Sequence, residues 1–125
     1  MSITYKIDPD RKAIFVYGTG ALTKQAVLGY FSDLFRDADF NPDYDHLIDY
    51  SAITEVDMDS VDLVELVETT KSSDPRKGRI AFVIGNLAGR EFLANFYTEL
   101  AHLSKGQTMQ SFKTREEAES WLGLT

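Results

Sequence analysis

Asp59 and Ser60 form the pair in this chain whose chemistry is easiest to imagine. A serine at the start of a helix can accept phosphate, because the new dianion would meet free backbone N–H groups and the positive end of the helix dipole. The same serine can serve as a plain N-cap, tying down one N–H for about 1 kcal/mol. With Asp57, Asp59 and Asp62 beside it, capping by Ser60 is the preferred reading. Asp57, Asp59 and Glu68 also stand at the first, third and twelfth places of an EF-hand-like spacing. The fifth and sixth places are Val61 and Asp62, where an oxygen ligand and a glycine belong, so no metal site is expected.

Other chemistries meet similar obstacles. Gly18-Thr19-Gly20 lies where a strand should hand over to a helix, which invites a dinucleotide reading. The third glycine of that fingerprint is replaced by Thr23 and no lysine follows in P-loop spacing, so a tight strand-to-helix turn accounts for the glycines. His46 and His102 are the only histidines, one expected at a strand start and one late in a helix. Neither belongs to a nucleophile–base pattern, and the absence of cysteine removes thiolate chemistry. A non-enzymatic protein without cofactor or metal is expected. Tyr30 and Phe31 on one helix, with Phe92 and Phe96 on another, could line an apolar pocket for a lipid or other small ligand. A filled core at helical spacing is the preferred account of these rings.

The elements that position these residues follow from periodicity. Ser2 to Ile7 reads as a short edge strand, Asp8-Pro9-Asp10 as a turn, and Lys12 to Tyr17 as a strand buried on both faces. Thr23 is the expected N-cap of a first helix, with Val27, Tyr30, Phe31, Leu34 and Phe35 as its apolar stripe. That helix should fade by Asp39, before a loop at Asn41-Pro42-Asp43. His46 to Tyr50 reads as a buried strand, followed by a polar turn and a second helix from Ser60 to about Lys71. The apolar positions of that helix (Val61, Leu63, Val64, Leu66, Val67) are too many for one stripe, so part of its surface should face a second partner. After a loop at 72–78 come a central strand at Arg79 to Ile84, a long helix from Leu87 to about Ser104 and a last strand at Thr108 to Phe112. Thr114 and Glu117 then form a capping box for a final helix with Ala118, Trp121 and Leu122 inward. The order β-β-α-β-α-β-α-β-α implies a mixed, mostly parallel five-stranded α/β sheet with about four helices.

Bulk properties bound the rest. The 125 residues suffice for one domain, 1–125, with its own core. Thirteen Lys and Arg against twenty Asp and Glu give a net charge of −7, which argues against nucleic acid or an anionic membrane as partner. From Asp37 to Glu68 the acids at 37, 39, 43, 45, 49, 55, 57, 59, 62, 65 and 68 meet no Lys or Arg. Such a block is a solvated face or a docking surface for a basic partner. No run is long enough to span a bilayer, and a cytoplasmic location is expected.

Several local patterns resemble the SpoIIAA-like family of small bacterial proteins, itself similar to STAS domains. They are Val16-x-Gly18 before Leu22-Thr23, Leu47-Ile48-Asp49 closing a strand, Arg79-Ile80-Ala81-Phe82-Val83, and the ending Phe112-x-Thr114-x-Glu116-Glu117-Ala118-x-x-Trp121-Leu122. The resemblance implies a mixed sheet with helices packed on it and a role in partner binding. In antagonist-type STAS domains a serine at the start of the helix after the third strand is phosphorylated, within Asp-Ser-Ser-Gly-Leu. Here the matching positions read Asp59-Ser60-Val61-Asp62-Leu63, so Asp59 and the acceptor position Ser60 match while the second serine and the glycine do not. An aspartate in place of that glycine adds repulsion against a phosphate. Two functions follow as expectations: a non-enzymatic regulatory domain binding a protein partner through the second helix and the acidic surface, or a carrier or sensor of a small apolar ligand. The surplus of apolar positions on the second helix also suggests a homodimer.

Overall fold

Continuous apolar runs become strands when both sides of a sheet are covered, and Ala13 to Val16 and Ile80 to Val83 are such runs. The structure, a computed structural model, describes residues 3–73, 75–85 and 108–124. Its order is β1 (Ile3–Asp8), β2 (Ala13–Thr23), α1 (Lys24–Arg36), β3 (Asp45–Asp57), α2 (Ser60–Ser73), β4 (Ile80–Val83), β5 (Met109–Phe112) and α3 (Arg115–Leu122). The five strands form one sheet in sequence order, β1-β2-β3-β4-β5. The β1–β2 hairpin is antiparallel and every other pairing is parallel. The helix expected at 87–104 lies outside the described residues.

The two-residue period of a strand divides each apolar run between two faces. Ile14, Val16, Ile48, Tyr50, Ile80 and Phe82 turn to the face covered by α1 and Leu66 of α2. Ala13, Phe15, Leu47, Ala81 and Val83 turn to the other, where Ala118 and Leu122 of α3 meet them. Thr23 caps α1 as expected, its hydroxyl accepting from the Ala26 N–H at 3.1 Å. Val27, Tyr30, Phe31 and Leu34 are buried along one side of that helix. Thr114 caps α3 by accepting from the Glu117 N–H at 3.3 Å. Gly123, at φ +72°, ends α3 in the left-handed conformation that a glycine adopts without strain.

Two expectations about the strands need correction. Gly18-Thr19-Gly20 is not a strand-to-helix turn, because β2 continues through it to Thr23. Nor does a turn follow Tyr50, since β3 runs on to Asp57 with Ile53, Thr54 and Val56, all β-branched, in extended backbone. The two extensions pair with each other, Thr19 with Ala52 and Thr23 with Asp57, with register shifts at Tyr17/Thr19 and Gly20/Ala21. Gly20 absorbs one irregularity at φ +70°. Gly18 has another purpose: a Cβ there would lie 2.6 Å from the Tyr50 ring, so only glycine lets that ring lie against the strand.

Candidate functional site

The pairing of Thr23 with Asp57 sets the geometry of the site, because it places the starts of α1 and α2 side by side at the carboxyl ends of β2 and β3. In parallel sheets this is where ligands and partners are usually met. Asp57-Met58-Asp59 carries the chain from β3 into α2. Asp59 and Asp62 then exchange bonds: the Asp62 N–H donates to Asp59 Oδ1 at 2.8 Å and the Asp59 N–H donates to Asp62 Oδ2 at 3.2 Å. This is a reciprocal capping box built from two aspartates. It corrects the expectation that Ser60 is the cap. An aspartate accepts an N–H bond at least as well as a serine and adds favourable charge at the helix start, so Asp59 takes the cap and Ser60 falls at the first helical position. Of the expected phosphoacceptor pair, the carboxylate of Asp59 is thus engaged in holding the helix.

Lys24, the first residue of α1, reaches across to α2. Its ammonium donates to Glu65 Oε2 at 2.5 Å and lies 3.6 Å from Asp62 Oδ1. The bond to Glu65, with the fields of Glu65 and Asp62, raises the lysine pKa against a lesser opposing effect of burial. A single cation therefore ties the two helix starts together and engages two acids of the block. Sequence reading passed over Lys24, since only the strand register brings residue 24 near residue 65.

The outer side of α2 is divided. Leu66 is buried, whereas Val61 and Val64 are 62% and 60% exposed, one helical turn apart. Glu65 and Glu68, exposed themselves, follow each valine at the fourth position, and Glu55, Asp57 and Asp59 are exposed around the start of the helix. The result is a small apolar stripe set within carboxylates.

The other candidate residues fall elsewhere. Tyr30 and Phe31 are 3% and 8% exposed, packed between α1 and the sheet. Their rings lie 5.1 Å apart, Phe31 stacks on Phe35 at 5.4 Å, and Tyr30 meets Tyr5 at 6.5 Å. Phe92 and Phe96, the other half of the expected pocket, lie outside the described residues. His102 does too. His46 is at the start of β3 as expected but is wholly buried, on the α1 face between Ile14 and Ile80. Its neighbour Arg76, from the connector between α2 and β4, is also buried and lies over the Phe31 ring at 5.1 Å. The burial of His46 agrees with the reading of 46–50 as a buried strand, whereas nothing local in the sequence marks Arg76 as a core residue.

Compared with known proteins, the chain shares its fold with the crystal structure of an uncharacterized protein of the DUF3478 family, with a SpoIIAA-like fold, from Shewanella loihica PV-4. The two superpose with a TM-score of 0.61 at 16% sequence identity, over 97% of this chain and 94% of that one. No family model matches the sequence, and no curated protein matches it either. The fold is SpoIIAA-like.

Proposed function

We propose that this SpoIIAA-like chain is a single, non-enzymatic interaction domain of the cytoplasm that docks a basic protein segment on the outer face of α2. The observation that carries the reading is the exposure of Val61 and Val64 within an acidic surround. Burying the exposed part of two valines contributes about 1–2 kcal/mol each, and the carboxylates select a partner whose apolar residues are flanked by Lys or Arg. Lys24 leaves little positive charge to offset them, since it is held by Glu65 and Asp62. Self-association through the same face is disfavoured, because a two-fold interface would set these carboxylates against their own copies. Phosphorylation of Ser60 would add a further negative charge beside Asp59 and Asp62, so the reading assigns the face a constitutive rather than a phosphate-gated role.

Peptide selection from a random library on the immobilised full chain tests this directly. Enriched peptides should carry two apolar residues flanked by Lys or Arg, and should lose at least tenfold in affinity for a Val61→Asp/Val64→Asp variant. Enrichment of acidic or uncharged sequences, or binding indifferent to that variant, would rule the reading out.

A further inference from the structure

Val61 and Glu65 stand one helical turn apart on α2, and Glu65 follows Val64 directly, so this carboxylate borders both exposed valines. Asp62, beside Val61, is half-buried, and its carboxylate already accepts from the Asp59 N–H. A cationic side chain flanking two apolar residues laid over Val61 and Val64 would therefore meet Glu65 first. Lys24 is there before it. Its ammonium donates to Glu65 Oε2 at 2.5 Å and lies 3.6 Å from Asp62 Oδ1, and these are its side-chain polar contacts among the described residues. All three side chains are partly open to solvent, Glu65 the most at 52%. A second cation can reach Glu65 without any strand or helix moving.

The hold is of a kind that yields. Ion pairs this exposed are weak, because water screens them and two long side chains must be kept in one geometry. Lys24 is nonetheless a like charge at the point where a basic segment must place its own. Two cations at one carboxylate repel, so an incoming basic residue binds at a loss until Lys24 withdraws. Nothing structural opposes the withdrawal. The start of α1 is capped by the Thr23 hydroxyl, which accepts from the Ala26 N–H, and the start of α2 is held by the reciprocal bonds of Asp59 and Asp62. Neither cap uses the Lys24 side chain.

We propose that Lys24 is an internal competitor at the docking face: it occupies the Glu65 carboxylate that a basic partner needs and is displaced when the partner binds. This role rests on the docking reading of α2, and it adds a residue outside that helix which sets how tightly the face binds. A segment with a single basic residue is held off, whereas one that brings several displaces the lysine.

The test is titration calorimetry of the full chain with a synthetic peptide carrying two leucines flanked on both sides by arginines, at low and at physiological ionic strength. Lys24→Gln should bind this peptide about three- to tenfold more tightly than wild type, as expected when a like charge is removed from a charged interface. Its affinity should also fall more steeply with salt, since one more carboxylate is open to the peptide. Lys24→Arg keeps the charge and should bind no more tightly than wild type. With Glu65→Gln already in place the gain from Lys24→Gln should shrink to within about twofold, because the contested carboxylate is gone. Affinity in Lys24→Gln equal to or weaker than that of wild type would overturn the competitor. So would a gain in Lys24→Arg, or a gain that persists in full beside Glu65→Gln. If Lys24→Gln does not fold, the wild-type side chain decides by NMR: the Lys24 Nζ signal must move toward that of a free lysine as peptide is added, and a signal unmoved at saturation overturns the proposal. Val61→Asp/Val64→Asp separates the two readings. Binding lost in that variant but unchanged in Lys24→Gln refutes the competitor alone. Binding indifferent to the valines, or no binding at about 1 mM peptide, refutes the docking reading and the competitor with it.

Discussion

At the scale of the residue, the start of α2 separates two roles that sequence alone runs together. Asp59 holds the helix through its bond from the Asp62 N–H, while Ser60 stands one place further on. Asp59→Ala should therefore cost about 1 kcal/mol of stability, within the usual range for a lost cap, and Ser60→Ala should cost much less. Urea unfolding of the two variants measures the difference; equal losses would return the cap to Ser60. Both residues were visible as candidates because an acid and a serine before an apolar run mark a helix start. Which of them caps was not legible, since a one-residue shift in where β3 yields to α2 exchanges their positions. His46 illustrates the opposite limit. Its burial was legible from the buried strand at 46–50, whereas that of Arg76, over the distant Phe31 ring, is contained in no window around residue 76.

At the scale of the element, the long β2–β3 ladder does most to place the site. Alternation and apolar runs made the strands themselves readable, and the Thr23 and Thr114 caps followed from residue type. The extension of β2 through Gly18-Thr19-Gly20 was hidden, because glycines ordinarily signal a turn and their use here is set by a distant ring, that of Tyr50. Gly18→Ala should thus destabilise by about 1–3 kcal/mol, as overpacking does, with a falling midpoint in thermal or chemical unfolding. A neutral outcome would mean that the Tyr50 ring does not lie against that strand. A second element-scale contact, also unreadable from spacing, fixes α3. Arg79 donates to the carbonyls of Trp121 and Leu122 at 3.0 and 3.1 Å and lies over the Trp121 ring at 5.5 Å. The same guanidinium holds Asp45 at the start of β3, so one side chain joins the end of α3 to the sheet.

At the scale of the whole molecule, the acidic block acquires a shape. It is spread along the sequence from Asp37 to Glu68, yet its second half gathers where β3 gives way to α2. Some of it is internal to the fold: Asp37 accepts from the Tyr5 hydroxyl at 2.8 Å, Asp45 holds Arg79, and Asp59 and Asp62 cap a helix. Glu55, Glu65 and Glu68 stay exposed near Val61 and Val64, the face on which the proposed docking rests. No described helix is long and apolar enough to cross a membrane. The surplus of apolar positions on α2 was legible in the sequence; that Val61 and Val64 face outward while Leu66 is buried is set by how the helix docks, which spacing alone does not give.

The most direct measurement of the central claim is photo-crosslinking in cells. A photoreactive amino acid would replace Val64, and a control would carry it at Glu116, an exposed position of α3 on the other face of the sheet. The docking role of α2 predicts a discrete adduct at position 64 and none at 116, lost on Val61→Asp and weakened by salt as a charged interface requires. Equal labelling at both positions, no adduct at 64, or an adduct of twice the chain's own mass would contradict it.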